Sequence, residues 1–143
     1  MTIYNSFSQE NTESLGDKMA QRAAVGAVYA LIGDLAAGKT AFARGFARGL
    51  GVDAEITSPT FGILNEYRGR LPLYHFDVYR ICHAQEMEDT GYEEYFYGDG
   101  VCLVEWADLI EELLPRGVIY VHFEKDDGQS ENFRRITVKG GEA

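Results

Sequence analysis

The sequence predicts an α/β domain built on a mixed sheet, mainly parallel at its centre, flanked by helices and bordered by antiparallel hairpin strands. Three observations carry this expectation. The run at residues 25–32 is apolar throughout instead of alternating, as in a central strand covered on both faces. A pattern of apolar residues at helical spacing follows it after a short loop. Strand-like and amphipathic segments then take turns to the end of the chain. At 143 residues, with 45% apolar and 13% aromatic side chains, the chain is one domain's worth and can fill one core. It has no internal repeat, low-complexity tract or Pro- or Ser-rich linker, so residues 1–143 read as a single domain.

The elements follow in order. Residues 2–7 alternate weakly through Ile3, Asn5 and Phe7 and suit a short strand. Thr12 then heads a helix spaced through Leu15, Met19 and Arg22, with Thr12 as its N-cap and Glu13 in the first turn. After the apolar strand at 25–32, a second helix starts at Thr40. Phe42, Ala43, Phe46, Ala47 and Leu50 form its apolar face, Arg44 and Arg48 pair on another face, and Gly51 stops it. Residues 61–67 and 72–80 are strand-like, and the intervening Arg68, Gly69 and Arg70 favour an antiparallel hairpin. The stretch 84–97 reads as helical although it contains Gly91 and many aromatics. Residues 101–106 form another apolar strand and 107–114 a short helix stopped by Pro115. Two last strands, 118–123 and 133–138, flank the polar loop DDGQSEN. The total is seven strands and three or four helices.

Charge narrows the function classes. Thirteen Lys and Arg against 23 Asp and Glu leave a net charge of -10, the wrong sign for gripping a phosphate backbone. Arg44, Arg48, Arg68, Arg70 and Arg80 are scattered instead of forming one basic run, and they suit nucleotide phosphates or a partner's acidic surface better than a nucleic-acid backbone. Free-standing nucleic-acid binding is not expected. The N-terminal segment has neither a basic patch nor an apolar core of a signal, and no apolar run is long enough to span a bilayer, so a cytoplasmic protein without membrane contact is expected. Cys82 and Cys102 lack metal-site or disulfide-framework spacing and read as buried, reduced thiols. The acids Glu86, Glu88, Asp89, Glu93 and Glu94 read as a solvated face. His83 and His122 have no ligand spacing.

The strongest chemical signal is Gly33-Asp34-Leu35-Ala36-Ala37-Gly38-Lys39-Thr40, which fits GxxxxGK[ST] at every fixed position and lies between the apolar strand and the amphipathic helix. Small residues let such a backbone curl so that successive N–H groups cradle a β-phosphate, aided by the positive end of the following helix. Lys39, on what reads as an exposed helix start, would reach the β- and γ-phosphate oxygens. The Thr40 hydroxyl would ligate Mg²⁺ bridging the same oxygens. The fold class is therefore that of a P-loop NTPase, with ATP or ADP and Mg²⁺ as ligands and Gly33 through Thr40, with Ala41, as the nucleotide-binding stretch.

Two carboxylates are candidates for the metal and the attacking water. In Tyr74-His75-Phe76-Asp77-Val78-Tyr79-Arg80, strand alternation puts His75, Asp77 and Tyr79 on one face. Asp77 there needs a cation or hydrogen-bond donors, which a structural pairing with Arg80 or Arg68 would also supply. Glu105 ends the apolar run Val101-Cys102-Leu103-Val104 and precedes Trp106, the position from which side chains reach the ligand crevice of open α/β sheets. Capping the helix at 107–114 is the competing role for Glu105.

Four blocks in this order, GDLAAGKT, Ser58-Pro59-Thr60-Phe61, His75-x-Asp77-x-Tyr79-Arg80 and Leu103-Val104-Glu105-Trp106, closely resemble the TsaE (YjeE) family, the bacterial ATPases of tRNA threonylcarbamoyladenosine biosynthesis. The resemblance runs from about Thr12 to the last strand. It implies ATP or ADP binding, slow intrinsic hydrolysis and action with TsaD and TsaB partners; it does not imply that this chain itself transfers the threonylcarbamoyl group. By the same resemblance Thr40 and Glu105 would serve Mg²⁺, Asp77 would be the second essential acid, and Ser58, Pro59, Thr60 and Phe61 would form a switch-like loop near the γ-phosphate. Thr12 would lie near the nucleotide. Lys39, Asp77 and Glu105 are thus the expected catalytic set, and Thr40, Asp77 and Glu105 the metal set. One departure stands out: the family loop usually reads GDLGAGKT, and Ala36 replaces its third glycine here. If that position needs φ > 0, the methyl adds about 1 kcal/mol of strain. A small-molecule kinase using the same loop, and a module gated by nucleotide without need for turnover, are the alternatives. Against the kinase, the chain is short for a separate acceptor pocket and shows no Arg-rich lid segment.

Overall fold

The structure is a computed structural model and describes residues 1–33, 38–56, 64–79, 84–126 and 128–140. Its elements are β1 (Thr2–Ser6), α1 (Gln9–Gln21), β2 (Val28–Ile32), α2 (Lys39–Gly49), β3 (Leu64–Arg68), β4 (Pro72–Asp77), α3 (Ala84–Glu88), α4 (Tyr92–Phe96), β5 (Val101–Glu105), a 3-10 helix (Ala107–Leu113), β6 (Ile119–Glu124) and β7 (Arg134–Gly140). The strands form one seven-stranded sheet in the order β1-β7-β6-β2-β5-β4-β3. Its centre is parallel, β6, β2, β5 and β4 running together, and its margins are antiparallel, β3 on β4, β7 on β6 and β1 on β7. The mixed sheet expected from the sequence is the one observed. The hairpin at Arg68-Gly69-Arg70 closes with Arg68 opposite Pro72. Its residues 61–63, together with Arg80, Cys82 and His83, lie outside the described residues.

Alternation sorts the core into two layers. Leu31, Leu73, Leu103 and Val121 point to the face covered by α1 and α2, where Phe42 and Phe46 are fully buried. Ala30, Phe76, Val104 and Cys102 point to the opposite face, under Phe96, Met87 and Ile110 of α4, α3 and the 3-10 helix. Burial pushes the Cys102 thiol up to about 12, and it donates to the Tyr95 carbonyl at 3.3 Å, so it is an inert core group. The acidic run at 86–94 presents Glu86, Glu88, Asp89, Glu93 and Glu94 to solvent, as expected. Among the described residues no helix is long and apolar enough to cross a membrane.

Local chemistry shifts several boundaries. Ser8, not Thr12, caps α1: its hydroxyl accepts from the Asn11 N–H at 3.0 Å. Thr12 lies inside the helix, 2% exposed, with its hydroxyl 2.7 Å from that of Ser6. The strand expected from residue 25 begins only at Val28, because residues 24–27 make a turn closed by the Ala27 N–H on the Ala24 carbonyl. The stretch 84–97 is two short helices, broken where Gly91 takes φ +72, a left-handed conformation that ends α3 and opens α4. The short helix after residue 106 is 3-10 and kinks at Ile110.

The arginines on α2 also find an unexpected place. Arg48 pairs with Asp17 at 2.8 Å and Glu13 at 3.3 Å, and Arg44 with Glu13 at 3.4 Å, all across the seam between α1 and α2. The Arg48 guanidinium, then the Gln21 amide, hold the Asp17 carboxyl below its usual range. Arg70 donates to the Ala20 and Ala23 carbonyls at the end of α1, at 2.8 and 3.3 Å. Arg48 and Arg70 are therefore engaged by the fold and do not line the cleft, which removes them from the phosphate contacts.

That seam is closed by small residues. A methyl group at Gly16 would fall on the Phe42 carbonyl oxygen, one at Gly45 on the Glu13 carbonyl, and one at Gly49 on the Asp17 carbonyl. Gly45 and Gly49 are four apart, so successive turns of α2 present bare backbone to α1. Gly45→Ala is expected to lower stability by about 1–3 kcal/mol, because the obstacle is backbone and cannot swing aside. A thermal melt indistinguishable from wild type would show that the helices separate freely.

Candidate functional site

The parallel register brings the strand ends together. Asp77 stands opposite Glu105, Leu31 opposite Glu105 on the other side, and Ile32 opposite His122. The chain leaving β2 at Gly33, the end of β4 and the end of β5 therefore meet at one edge, beside the strand from which the sheet order runs both ways. α2 starts at the same edge. Its N-cap Gly38 has φ +107 and offers no side-chain cap, and its first turn carries no acidic residue, so the helix's positive end is left for an anion.

A cleft of about 350 Å³ opens there. Of the residues expected from the sequence, Thr12, Gly38, Lys39, Thr40, Ala41, Asp77 and Glu105 all line it. Gly33 contributes through its carbonyl, which accepts from the Lys39 ammonium at 2.6 Å. Asp34, Leu35, Ala36 and Ala37, and the loop of Ser58, Pro59, Thr60 and Phe61, lie outside the described residues. The lining also includes Ser8, Gln9, Arg44, Trp106, Asn132 and Arg134. Only Arg44 among these was singled out as lying near the loop. Asn132 and Arg134 lie just before and at the start of β7, which returns antiparallel beside β6; the sequence shows these two strands around a polar loop, but not that this end of the hairpin faces the cleft.

Three side chains differ in setting from what the sequence suggested. Lys39 is not on an exposed helix start: it is 5% exposed, bonded to Gly33 and seated 3.6 Å above the centre of the Trp106 ring. Glu105 is 4% exposed and does not cap the helix after it: its Oε2 lies 2.6 Å from Nε2 of His75, while Trp106 occupies the cap position without a side-chain bond. The Asp77 Oδ1 accepts from the Tyr79 N–H at 3.0 Å. Arg68 is at the far end of the hairpin, across from Pro72, and cannot reach Asp77.

Trp106 belongs to the block Leu103-Val104-Glu105-Trp106 in the sequence, with no role of its own there, yet Lys39 and Tyr79 both pack on it. Among the described residues it is the one non-glycine with positive φ, +62. That conformation costs roughly 1–2 kcal/mol and turns the indole back under Lys39. The Tyr79 ring packs on its other contact, with centroids 4.7 Å apart.

A family model described as "Threonylcarbamoyl adenosine biosynthesis protein TsaE" matches residues 6–136. The chain belongs to the TsaE family. It is 46% identical over 136 residues to the tRNA threonylcarbamoyladenosine biosynthesis protein TsaE of Bacillus subtilis, covering 93% of this chain and 85% of that one. To the TsaE protein of Treponema pallidum it is 44% identical over 114 residues, 80% of this chain and 84% of the relative. Its fold is similar to the crystal structure of Bacillus subtilis YdiB, with a TM-score of 0.80 and 42% identity over 99% of this chain and 86% of that chain. The TsaE resemblance first carried by four short blocks thus extends over residues 6–136.

Proposed function

We propose that this chain binds ATP with Mg²⁺, hydrolyses it slowly, and so assists formation of threonylcarbamoyladenosine in tRNA together with TsaD- and TsaB-type partners. The observation that carries the reading is the meeting of Lys39, Thr40, Asp77 and Glu105 in one cleft, at the uncapped positive end of α2. A family whose members are named for this biosynthesis supplies the pathway.

The donor set suits the cation. Two carboxylates and a hydroxyl are hard oxygen ligands, and Mg²⁺ is usually held by one or two carboxylates plus substrate phosphates. Among the described residues there is no group of three or more His, Cys, Asp or Glu able to hold a metal ion. Thr40, Asp77 and Glu105 would therefore share the ion with the nucleotide, and bound there it would offset charge developing on the phosphoryl oxygens. The chain's own residues do the rest. Gly38 and the start of α2 direct N–H groups at the phosphates, and Lys39 exchanges the Gly33 carbonyl and Trp106 for phosphate oxygens. Glu105 orients a water for attack.

Hydrolysis by the purified chain, measured with and without TsaD and TsaB, is the deciding experiment. A partner-dependent rise is expected, whereas turnover that responds only to an added small-molecule hydroxyl would mark a kinase. Direct tRNA binding should stay near the non-specific regime, no tighter than about 10⁻⁵ M at physiological salt. The net charge of -10 opposes it, and Arg44, Arg48, Arg70 and Arg135 are already bonded within the fold. Tight, salt-resistant binding in a filter assay would overturn this division of labour. The work of such a helper lies in the cytoplasm, beside the tRNA it serves.

A further inference from the structure

The contact between β4 and β5 gives Glu105 a partner that the functional reading does not use. His75 is 1% exposed, and its Nε2 lies 2.6 Å from Glu105 Oε2. The register explains the reach. Asp77 is opposite Glu105 and His75 opposite Leu103, so the imidazole stands one step behind the carboxylate on the α2 side of the sheet and leans forward to it. On that side Leu73 and Leu103 beside it are apolar and buried, and Asn65 stands opposite it on β3. For packing alone, a leucine or phenylalanine would fill this place without the cost of desolvating a ring with two polar nitrogens. The other nitrogen, Nδ1, is buried and has no hydrogen-bond partner among the described residues. A proton there would be an unmet buried donor, so the ring carries its proton on Nε2 and donates it to Glu105.

We infer that His75 is a positioning residue that fixes the Glu105 carboxylate toward the cleft, an inference resting on the reading of Glu105 as the hydrolytic acid. A glutamate has three side-chain torsions, and one anchored oxygen removes most of that freedom while the other oxygen stays available to the cleft. His75 itself need touch neither nucleotide nor water.

A double-mutant cycle tests this. His75→Leu should lower the rate of ATP hydrolysis at least about tenfold while the dissociation constant for ATP moves less than about threefold, since the loop and helix start are untouched. His75→Gln, whose amide nitrogen falls near the Nε2 position, should restore the rate to within about threefold of wild type. In a Glu105→Gln background, His75→Leu should cost less than about twofold more, because the two act through one carboxylate. Imidazole ¹⁵N spectra of the nucleotide-free protein should show a protonated Nε2 and a bare Nδ1 for His75, with the Nε2 signal shifted by Glu105→Gln. His75→Asn, too short to reach Glu105, replaces the leucine variant if that fails to fold. Equal losses in both backgrounds, a glutamine variant as slow as the leucine variant, or a proton on Nδ1 would overturn the positioning role alone. Wild-type turnover in Glu105→Gln would overturn the reading of Glu105 and the inference with it.

Discussion

Glu105→Gln is expected to lower ATP hydrolysis at least about tenfold, roughly 1.4 kcal/mol in barrier, in a protein that still folds. The substitution keeps the shape of the side chain and leaves a carbonyl oxygen able to accept from His75, so the buried contact at 2.6 Å survives in neutral form. What is lost is the charge that would hold Mg²⁺ or polarise a water, in a setting only 4% exposed where solvent cannot replace it. Steady-state hydrolysis beside a thermal melt separates the two effects. Unchanged turnover would leave Glu105 a structural partner of His75.

Lys39→Ala should weaken ATP and ADP binding by about 10- to 100-fold, the worth of one or two charge-assisted hydrogen bonds of about 1.5–3 kcal/mol to phosphate. The nucleotide-free geometry trims this figure, because the ammonium must first leave the Gly33 carbonyl at 2.6 Å and the Trp106 ring. It also changes the expected effect on folding. Truncating a side chain that is 5% exposed removes both contacts, so a stability loss of about 1 kcal/mol is expected where an exposed lysine would give none. Calorimetric titration of the folded variant decides the matter, and wild-type affinity there would refute the phosphate role.

What could be read in the sequence was what short-range patterning encodes. The uninterrupted apolar run before Gly33 and the helical spacing after Thr40 are properties of neighbouring residues, and they put β2, the loop and α2 in the right order. The alternation through Asp77 and the apolar run before Glu105 likewise put both acids at strand ends. The His75–Glu105 contact was hidden, because it depends on which strand lies beside β5 and in what register, and 30 residues separate the partners. Arg44 and Arg48 look alike on a helical wheel whether they face a ligand or Glu13 and Asp17, which belong to another helix. The cap of α1 was misread for a local reason: Ser8 and Thr12 are both good caps, and only the burial of Thr12 against Ser6 decides between them.

The glycine seam between α1 and α2 has a mechanical consequence. Sliding of packed helices relies on side chains that change rotamer as ridges pass over one another, and at Gly16, Gly45 and Gly49 no side chain is present to do so. The wall of the cleft bearing Ser8 and Thr12 and the wall bearing Lys39 and Thr40 are thus carried by two helices in direct backbone contact, with the Arg48–Asp17 pair across the same seam. Across the cleft Trp106 holds a high-energy backbone conformation in contact with both Lys39 and Tyr79, and the Lys39 contact is one that a bound phosphate would compete for.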